Sequence, residues 1–220
     1  MQKILVASGN PKKLAELRAM LTELPVELLG PEALPGGLPE VVEDGADFLA
    51  NAAAKALAFA EAAVAVEPGI WALADDSGLC VDALDGAPGV HSARFAALFG
   101  PAGALAPDAD RAEMDEANNR LLLERLAGLP PEQRGAAFHC VIAVARPGEL
   151  LFAVEGRVAG RILEAPDGDG GFGYDPLFWH EASGCSFARL DPAAKAAVSH
   201  RGQAVARLER VLSSVLPRRR

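Results

Sequence analysis

Two periods of apolar and polar residues alternate along the chain, and each change of period marks an element. Lys3-Ile4-Leu5-Val6-Ala7 is a short apolar run that reads as a strand, and it empties into Ser8-Gly9-Asn10-Pro11-Lys12-Lys13. Fourteen residues of helical pattern follow, with Leu14, Leu17, Leu21 and Leu24 spaced to form one apolar face. Val26 to Leu29 predicts a second short strand. Gly30 to Gly45 is a connection rich in proline and glycine that ends in Glu43-Asp44-Gly45, and a long helix begins at about Asp47. Ile70 to Ala74 reads as a buried strand, Cys80 to Leu84 as another, and Gly100 to Asp110 as a surface loop. A helix is expected over Arg111 to Ala127. Ala136 to Ala145 and Leu150 to Leu163 read as two long strands joined at Pro147-Gly148, hence antiparallel. The last helix, Gly202 to Leu216, is expected to bury Val205, Leu208, Leu212 and Val215, which stand at helical spacing. The alternation predicts an α/β fold, with no internal repeat.

Composition narrows the picture. A chain of 220 residues with 50% hydrophobic content can bury a full core as one domain or as two lobes. The alanine-rich stretch Phe48 to Val66 is interrupted by Asn51, Lys55 and Glu61, which argues for a packed helix rather than a membrane span. The apolar run at Lys3 to Val6 is too short for a secretion signal. Cys80, Cys140 and Cys185 show no paired spacing, so a reducing cytoplasm is the simplest expectation. A net charge of -9 disfavours non-specific nucleic-acid binding, whereas a small polyphosphate needs only a local basic pocket. Arg218-Arg219-Arg220 reads as a solvated tail. Only 5 lysines stand beside 16 arginines, and Lys12, Lys13, Lys55 and Lys195 all fall in segments with other chemical signals; Lys3 is the exception.

Those signals form four groups. At the first, Asn10 can cap the helix and Pro11 can occupy its first position, leaving free N–H groups and two lysines to favour an anion, most plausibly phosphate. An ordinary capped helix with a solvated basic turn is the alternative. At the second, Asp75-Asp76-Ser77-Gly78, adjacent aspartates at a strand end beside a glycine turn would repel unless a divalent cation or solvent compensates, and hard oxygen ligands suit magnesium held with substrate phosphates; a solvated turn with either aspartate capping local backbone is the alternative. Glu43 and Asp44 could complete such a shell. At the third, Gly170-Gly171-Phe172-Gly173-Tyr174-Asp175-Pro176, aromatics between glycines could stack on a base while backbone amides read its edge and Asp175 accepts from it; alternatively, the rings only anchor a tight loop. At the fourth, Lys195 precedes Ser199-His200-Arg201-Gly202, where a helix start, a histidine and an arginine could contact an anion or a base edge. His91, His139 and His180 have no such setting and read as structural.

Taken in order, Ser8-x-Asn10-x-x-Lys13-x-x-Glu16, Asp75-Asp76-Ser77-Gly78-Leu79 continuing to Gly86-Ala87-Pro88-Gly89-Val90-His91-Ser92-Ala93-Arg94, Gly171 to Pro176, and Ser199-His200-Arg201-Gly202-Gln203-Ala204 resemble the inosine triphosphate pyrophosphatase (HAM1-like) family over nearly the whole chain. The resemblance implies a long mixed sheet flanked by helices, forming two lobes with a cleft between them in a single domain. It implies a homodimer that requires magnesium and cleanses the nucleotide pool. Its members hydrolyse non-standard purine nucleoside triphosphates such as XTP, ITP and dITP to the monophosphate and pyrophosphate. By the same resemblance, Ser8, Gly9, Asn10, Pro11, Lys12 and Lys13 cradle the triphosphate. Asp76 accepts a proton or ligates the metal, with Ser77 beside it; Glu43 matches the other metal-binding acid, with Asp75 as the alternative metal partner, and Lys55 reaches the phosphates. Phe172, Gly173, Tyr174 and Asp175 form the base loop, and Lys195, His200 and Arg201 supply further substrate contacts. The chain departs from the pattern at Ala50, where a glutamate is usual, at Val42 before Glu43, and at Ala188-Arg189.

The parts imply in-line attack of an activated water on the α-phosphorus, with the lysines neutralising charge on the departing pyrophosphate. Buried donors facing a 6-oxo group would reject adenine, by a factor that can reach roughly 10⁴. Two rivals stand: a Maf-like nucleotide pyrophosphatase with another base preference, and a nucleotide-sensing module that binds without hydrolysis.

Overall fold

The structure, a computed structural model, describes residues 2–6, 8, 10–22, 26–102, 105–106 and 108–216. Of the positions singled out above, Ala7, Gly9, Leu24 and Arg218-Arg219-Arg220 lie outside the described residues. The strands are β1 (Lys3–Val6), β2 (Glu27–Leu29), β3 (Trp71–Val81), β4 (Gly135–Arg146), β5 (Glu149–Ile162), β6 (Phe178–His180) and β7 (Cys185–Ser186). The helices are α1 (Pro11–Leu21), α2 (Phe48–Ala63), α3 (Phe95–Phe99), α4 (Arg111–Arg125), α5 (Pro192–Val198) and α6 (His200–Val215). The strands form one mixed sheet in the order β2-β1-β3-β4-β5-β6-β7. β1 runs parallel to both β2 and β3, and β6 is antiparallel to β5 and β7. The two-residue connection at Pro147-Gly148 permits only an antiparallel pairing of β4 with β5. The mixed α/β class read from the sequence is therefore the observed one.

The chain divides into two compact units. The first comprises Met1–Asp76, Cys140–Arg157 and Ser199–Arg220. Its strands alternate side chains with period two, so each face gathers its own layer. Ile4, Val6, Leu73, Ile142 and Val144 pack with Leu17 and Leu21 of α1 and Leu208 and Leu212 of α6. Leu5, Ala72, Ala74, Ala143 and Ala145 pack with Ala52, Ala56, Phe59 and Ala60 of α2, where small side chains let the helix approach closely. Each fully buried leucine contributes roughly 1.5–3 kcal/mol, which holds the starts of α1 and α6 firmly.

The second unit comprises Ser77–His139 and Val158–Val198. Its core joins Leu79, Val81, Phe138, Val158 and Ile162 to Leu122 and Leu126 of α4. Phe178 sits between Phe138 and Phe187, at ring-centroid distances of 4.6 and 4.9 Å. α4 starts on a complete capping box, Asp110 with Glu113.

Three expectations are corrected. Ile70–Ala74 and Cys80–Leu84 are not separate strands: Trp71–Val81 is one continuous strand, because Ser77 and Gly78 stay extended where a turn was expected. The recognisable part of that second run, Asp82–Leu84, is a 3-10 turn. Val215 is not buried but 54% exposed, since α6 ends there beyond the sheet-facing stripe. Short elements without a periodic signal, α3, α5, β6 and β7, were not legible in the pattern.

Candidate functional site

In the first unit the strand-to-helix junction forms as its residue types dictate. Asn10 is the N-cap of α1, its Oδ1 accepting from the N–H groups of Lys12 at 3.0 Å and Lys13 at 3.3 Å, with Pro11 at the first position. Asn10 N–H donates to Ser8 Oγ at 3.2 Å. This corrects the expectation of free N–H groups: the cap already takes two of them, so attraction for an anion rests on the helix dipole and on the side chains of Lys12 and Lys13.

The adjacent aspartates lie inside β3, so they point to opposite faces of the sheet and do not oppose each other as a pair at a turn would. Asp75 shares the face of α1 and α6. Its Oδ2 lies 3.5 Å from Lys13 Nζ and 3.5 Å from Arg201 Nη2. Burial pushes the Asp75 carboxyl up, but Lys13, Arg201 and Lys55 outweigh it and hold it at about 2. Arg201 in turn donates from Nη1 to Glu16 Oε2. Asp76 shares the face of α2. Its Oδ1 accepts from Lys55 Nζ at 2.9 Å and its Oδ2 from Asn51 Nδ2 at 3.2 Å. Burial is the largest influence there and is not fully offset by Lys55, Lys13 and Asn51, so the Asp76 carboxyl sits above the usual range. Burial would lower Lys55, yet Asp76, Asp75 and Glu43 together raise it, so it stays charged. Two carboxyls one residue apart are thus driven in opposite directions, one a fixed anion and one poised to take a proton.

Lys55 Nζ also lies 3.3 Å from Glu43 Oε2, so Glu43 and Asp76 converge on one ammonium. Among the described residues no group of three His, Cys, Asp or Glu side chains is placed to hold a metal ion. The Glu43 and Asp76 oxygens are hard donors of the type magnesium takes, and their convergence fits a divalent ion that also binds phosphate oxygens. Asp75 fits less well, its carboxylate being engaged by Lys13 and Arg201 on the other face.

His200 and Arg201 open α6 behind the Ser199 cap, and both are buried. The Arg201 guanidinium, expected to contact an anion or a base edge, is engaged by Glu16 and Asp75 in this structure.

In the second unit the glycine loop is tied down rather than left open. Tyr174 is buried and its hydroxyl donates to Ser92 O at 2.9 Å, which favours the anchoring alternative over base stacking for this ring. Asp175 is also buried, its Oδ2 accepting from Phe172 N–H at 2.8 Å and Lys195 Nζ at 2.6 Å. Gly173 N–H donates to Asp115 Oδ2 at 2.8 Å. The amides of Phe172 and Gly173, expected to read a base edge, are therefore taken by carboxylates. Half-buried Phe172 remains a platform, with Lys195 Nζ 4.6 Å from its ring centroid. Ser77, half-buried on β3, belongs to this unit.

Sequence reasoning missed Asn51, Asp115 and Asn119 as site-building residues. Asn51 carried one signal, a polar residue on the apolar face of an alanine-rich helix, one turn before Lys55. Asp115 and Asn119 carried the same i, i+4 spacing on α4.

A parallel strand-to-helix junction bearing lysines, beside two buried carboxyls on opposite faces of one strand, defines a mixed α/β protein equipped to handle a phosphorylated ligand. The chain belongs to the Ham1 family, whose model matches residues 4–211. It is 49% identical over 225 residues to the dITP/XTP pyrophosphatase of Anaeromyxobacter sp. (strain Fw109-5), covering 95% of this chain and 96% of that one. Among solved structures it is similar to a HAM1 protein from Coxiella burnetii, with a TM-score of 0.80 and 36% identity, covering 98% and 100% of the two chains. It is also similar to the nucleoside-triphosphatase, dITP/XTP pyrophosphatase, from Mycobacterium abscessus, with a TM-score of 0.65 and 42% identity, covering 99% and 100%.

Proposed function

We propose that this protein hydrolyses XTP, ITP and dITP, non-standard purine nucleoside triphosphates, to the monophosphate and pyrophosphate. The observation that carries the chemistry is the placement of the buried Asp76 carboxylate against Lys55 and Asn51, with Glu43 on the same ammonium. The names of the relatives support the substrate class. In this reading Asp76 accepts the proton of the water that attacks the α-phosphorus, and Lys55, hydrogen-bonded to it, holds the carboxylate in place. Lys12 and Lys13, with Ser8 and Asn10 shaping their turn, attract the phosphates and offset charge on the leaving pyrophosphate. Asp75 keeps Lys13 in position. Glu43 and Asp76 would hold magnesium, which when bound supplies phosphate charge neutralisation and a more acidic water.

Base choice belongs to Phe172 as a stacking surface and Lys195 as a donor-only group. A donor-only group favours a 6-oxo acceptor and opposes the amine of adenine. Assembly as a cytoplasmic homodimer is part of the same proposal.

The decisive assay measures pyrophosphate, monophosphate and orthophosphate release with magnesium from ITP, dITP, XTP, ATP, GTP and dTTP. Fast pyrophosphate release from the first three alone is expected. Orthophosphate release would indicate a phosphatase, turnover of standard nucleotides a Maf-like enzyme, and tight binding without turnover a sensor.

A further inference from the structure

Helix α4 grips one residue of the glycine loop, Gly173, by both of its backbone polar groups. Asp115 and Asn119 are four residues apart and so lie one above the other on one helix face. Asp115 Oδ2 accepts from Gly173 N–H at 2.8 Å, and Asn119 Nδ2 donates to Gly173 O at 2.9 Å. Arg111, a further turn back, lies 3.1 Å from Asp115 Oδ1 and orients it. Gly173 sits at φ +61°, a conformation that suits glycine, and no atom lies within 4 Å of where a side chain would begin. Gly173 is thus held on the helix side and open on the other. Phe172 precedes it directly, so the pose of that ring follows the pose of Gly173.

We infer that Asp115 and Asn119 are positioning residues for base selection, fixing Gly173 so that the Phe172 ring and Lys195 present one geometry to the base. This rests on the reading of the loop as the base platform given under Proposed function. Loss of the neutral Asn119 hydrogen bond is expected to cost about fivefold in base-dependent affinity. The phosphate-handling residues make no use of this grip.

The test uses the full chain with magnesium and compares wild type with Asn119→Asp, which keeps the shape but sets a carboxylate against Gly173 O, and with Asn119→Ala. The expected result is a rise of about fivefold in KM for ITP, a kcat within threefold of wild type, and a fall of several-fold in the ITP-over-ATP ratio of kcat/KM. Inhibition by inorganic tripolyphosphate, which has no base, is expected to be unchanged. Thermal unfolding separates a local effect from a folding defect, and the alanine variant covers the case in which the aspartate does not fold. An active wild type with unchanged KM and unchanged base ratio in both variants would overturn the inference alone. Parallel weakening of ITP and tripolyphosphate would also overturn it, since a structural defect produces that pattern. A wild type that turns over none of the purine triphosphates would instead remove the functional reading, and the inference with it.

Discussion

Asp75 and Asp76 share a chemical type and a strand, yet the strand's pleat gives them different neighbours and hence different work. Replacing Asp76 with Asn removes the proton acceptor while keeping its shape. A fall in kcat of at least about 10³-fold is expected, with nucleotide binding measured by calorimetry retained; loss of binding in place of turnover would count against the assignment. Asp75→Asn acts on stability instead. It leaves the Arg201 guanidinium buried with Glu16 as its remaining carboxylate, and a cost of about 3 kcal/mol in denaturant unfolding is expected. The pH dependence follows from the same group. The folded Asp75 carboxyl, held at about 2, lies below its unfolded value, so its contribution is fully present above about pH 4 and is lost as pH falls through 2. That contribution is roughly 2 kcal/mol, and acid titration of Asp75→Asn should lack this part of the loss.

At the scale of elements, α2 works as a clamp. Asn51 and Lys55, one turn apart, each reach Asp76 and each reach the Glu43 to Gly45 segment, Asn51 by accepting from Gly45 N–H at 2.8 Å. A Cβ on Gly45 would lie 2.6 Å from Asn51 Oδ1, so the loop can approach the helix only as glycine. Asn51→Ala removes the hydrogen bonds to the buried Asp76 Oδ2 and to the half-buried Gly45 N–H. A loss of about 2 kcal/mol in unfolding free energy, together with a lower kcat, is expected. α6 depends on a similar close approach to β5. A Cβ on Gly156 would lie 2.0 Å from His200 O and 2.6 Å from Ala204 N, both backbone atoms that cannot swing aside. Gly156→Ala should therefore shift the start of α6 and cost about 3 kcal/mol, read as a lowered unfolding midpoint.

At the scale of the whole molecule, a ligand that binds only the folded chain adds to its stability by mass action. A non-hydrolysable ITP analogue at about a hundred times its Kd should raise Tm by about 5–10 °C for a chain of this length. The same concentration of an ATP analogue should raise it much less. The sequence by itself determined the long elements and the mixed α/β class, because period-two and period-3.6 patterns report burial directly, and Asn10, Pro11, Asp47 and Ser199 carry their helix starts locally. It also singled out Asp75-Asp76, Lys55 and the glycine loop as polar segments that packing alone explains poorly. Only the tertiary structure decided what each polar group does. Whether an aspartate is an ion-paired anion or a raised acid, and whether an amide is free or already bonded to Asp115, depends on partners tens of residues away in the chain. Burial and long-range pairing set the cost of charge, and local sequence carries no record of either.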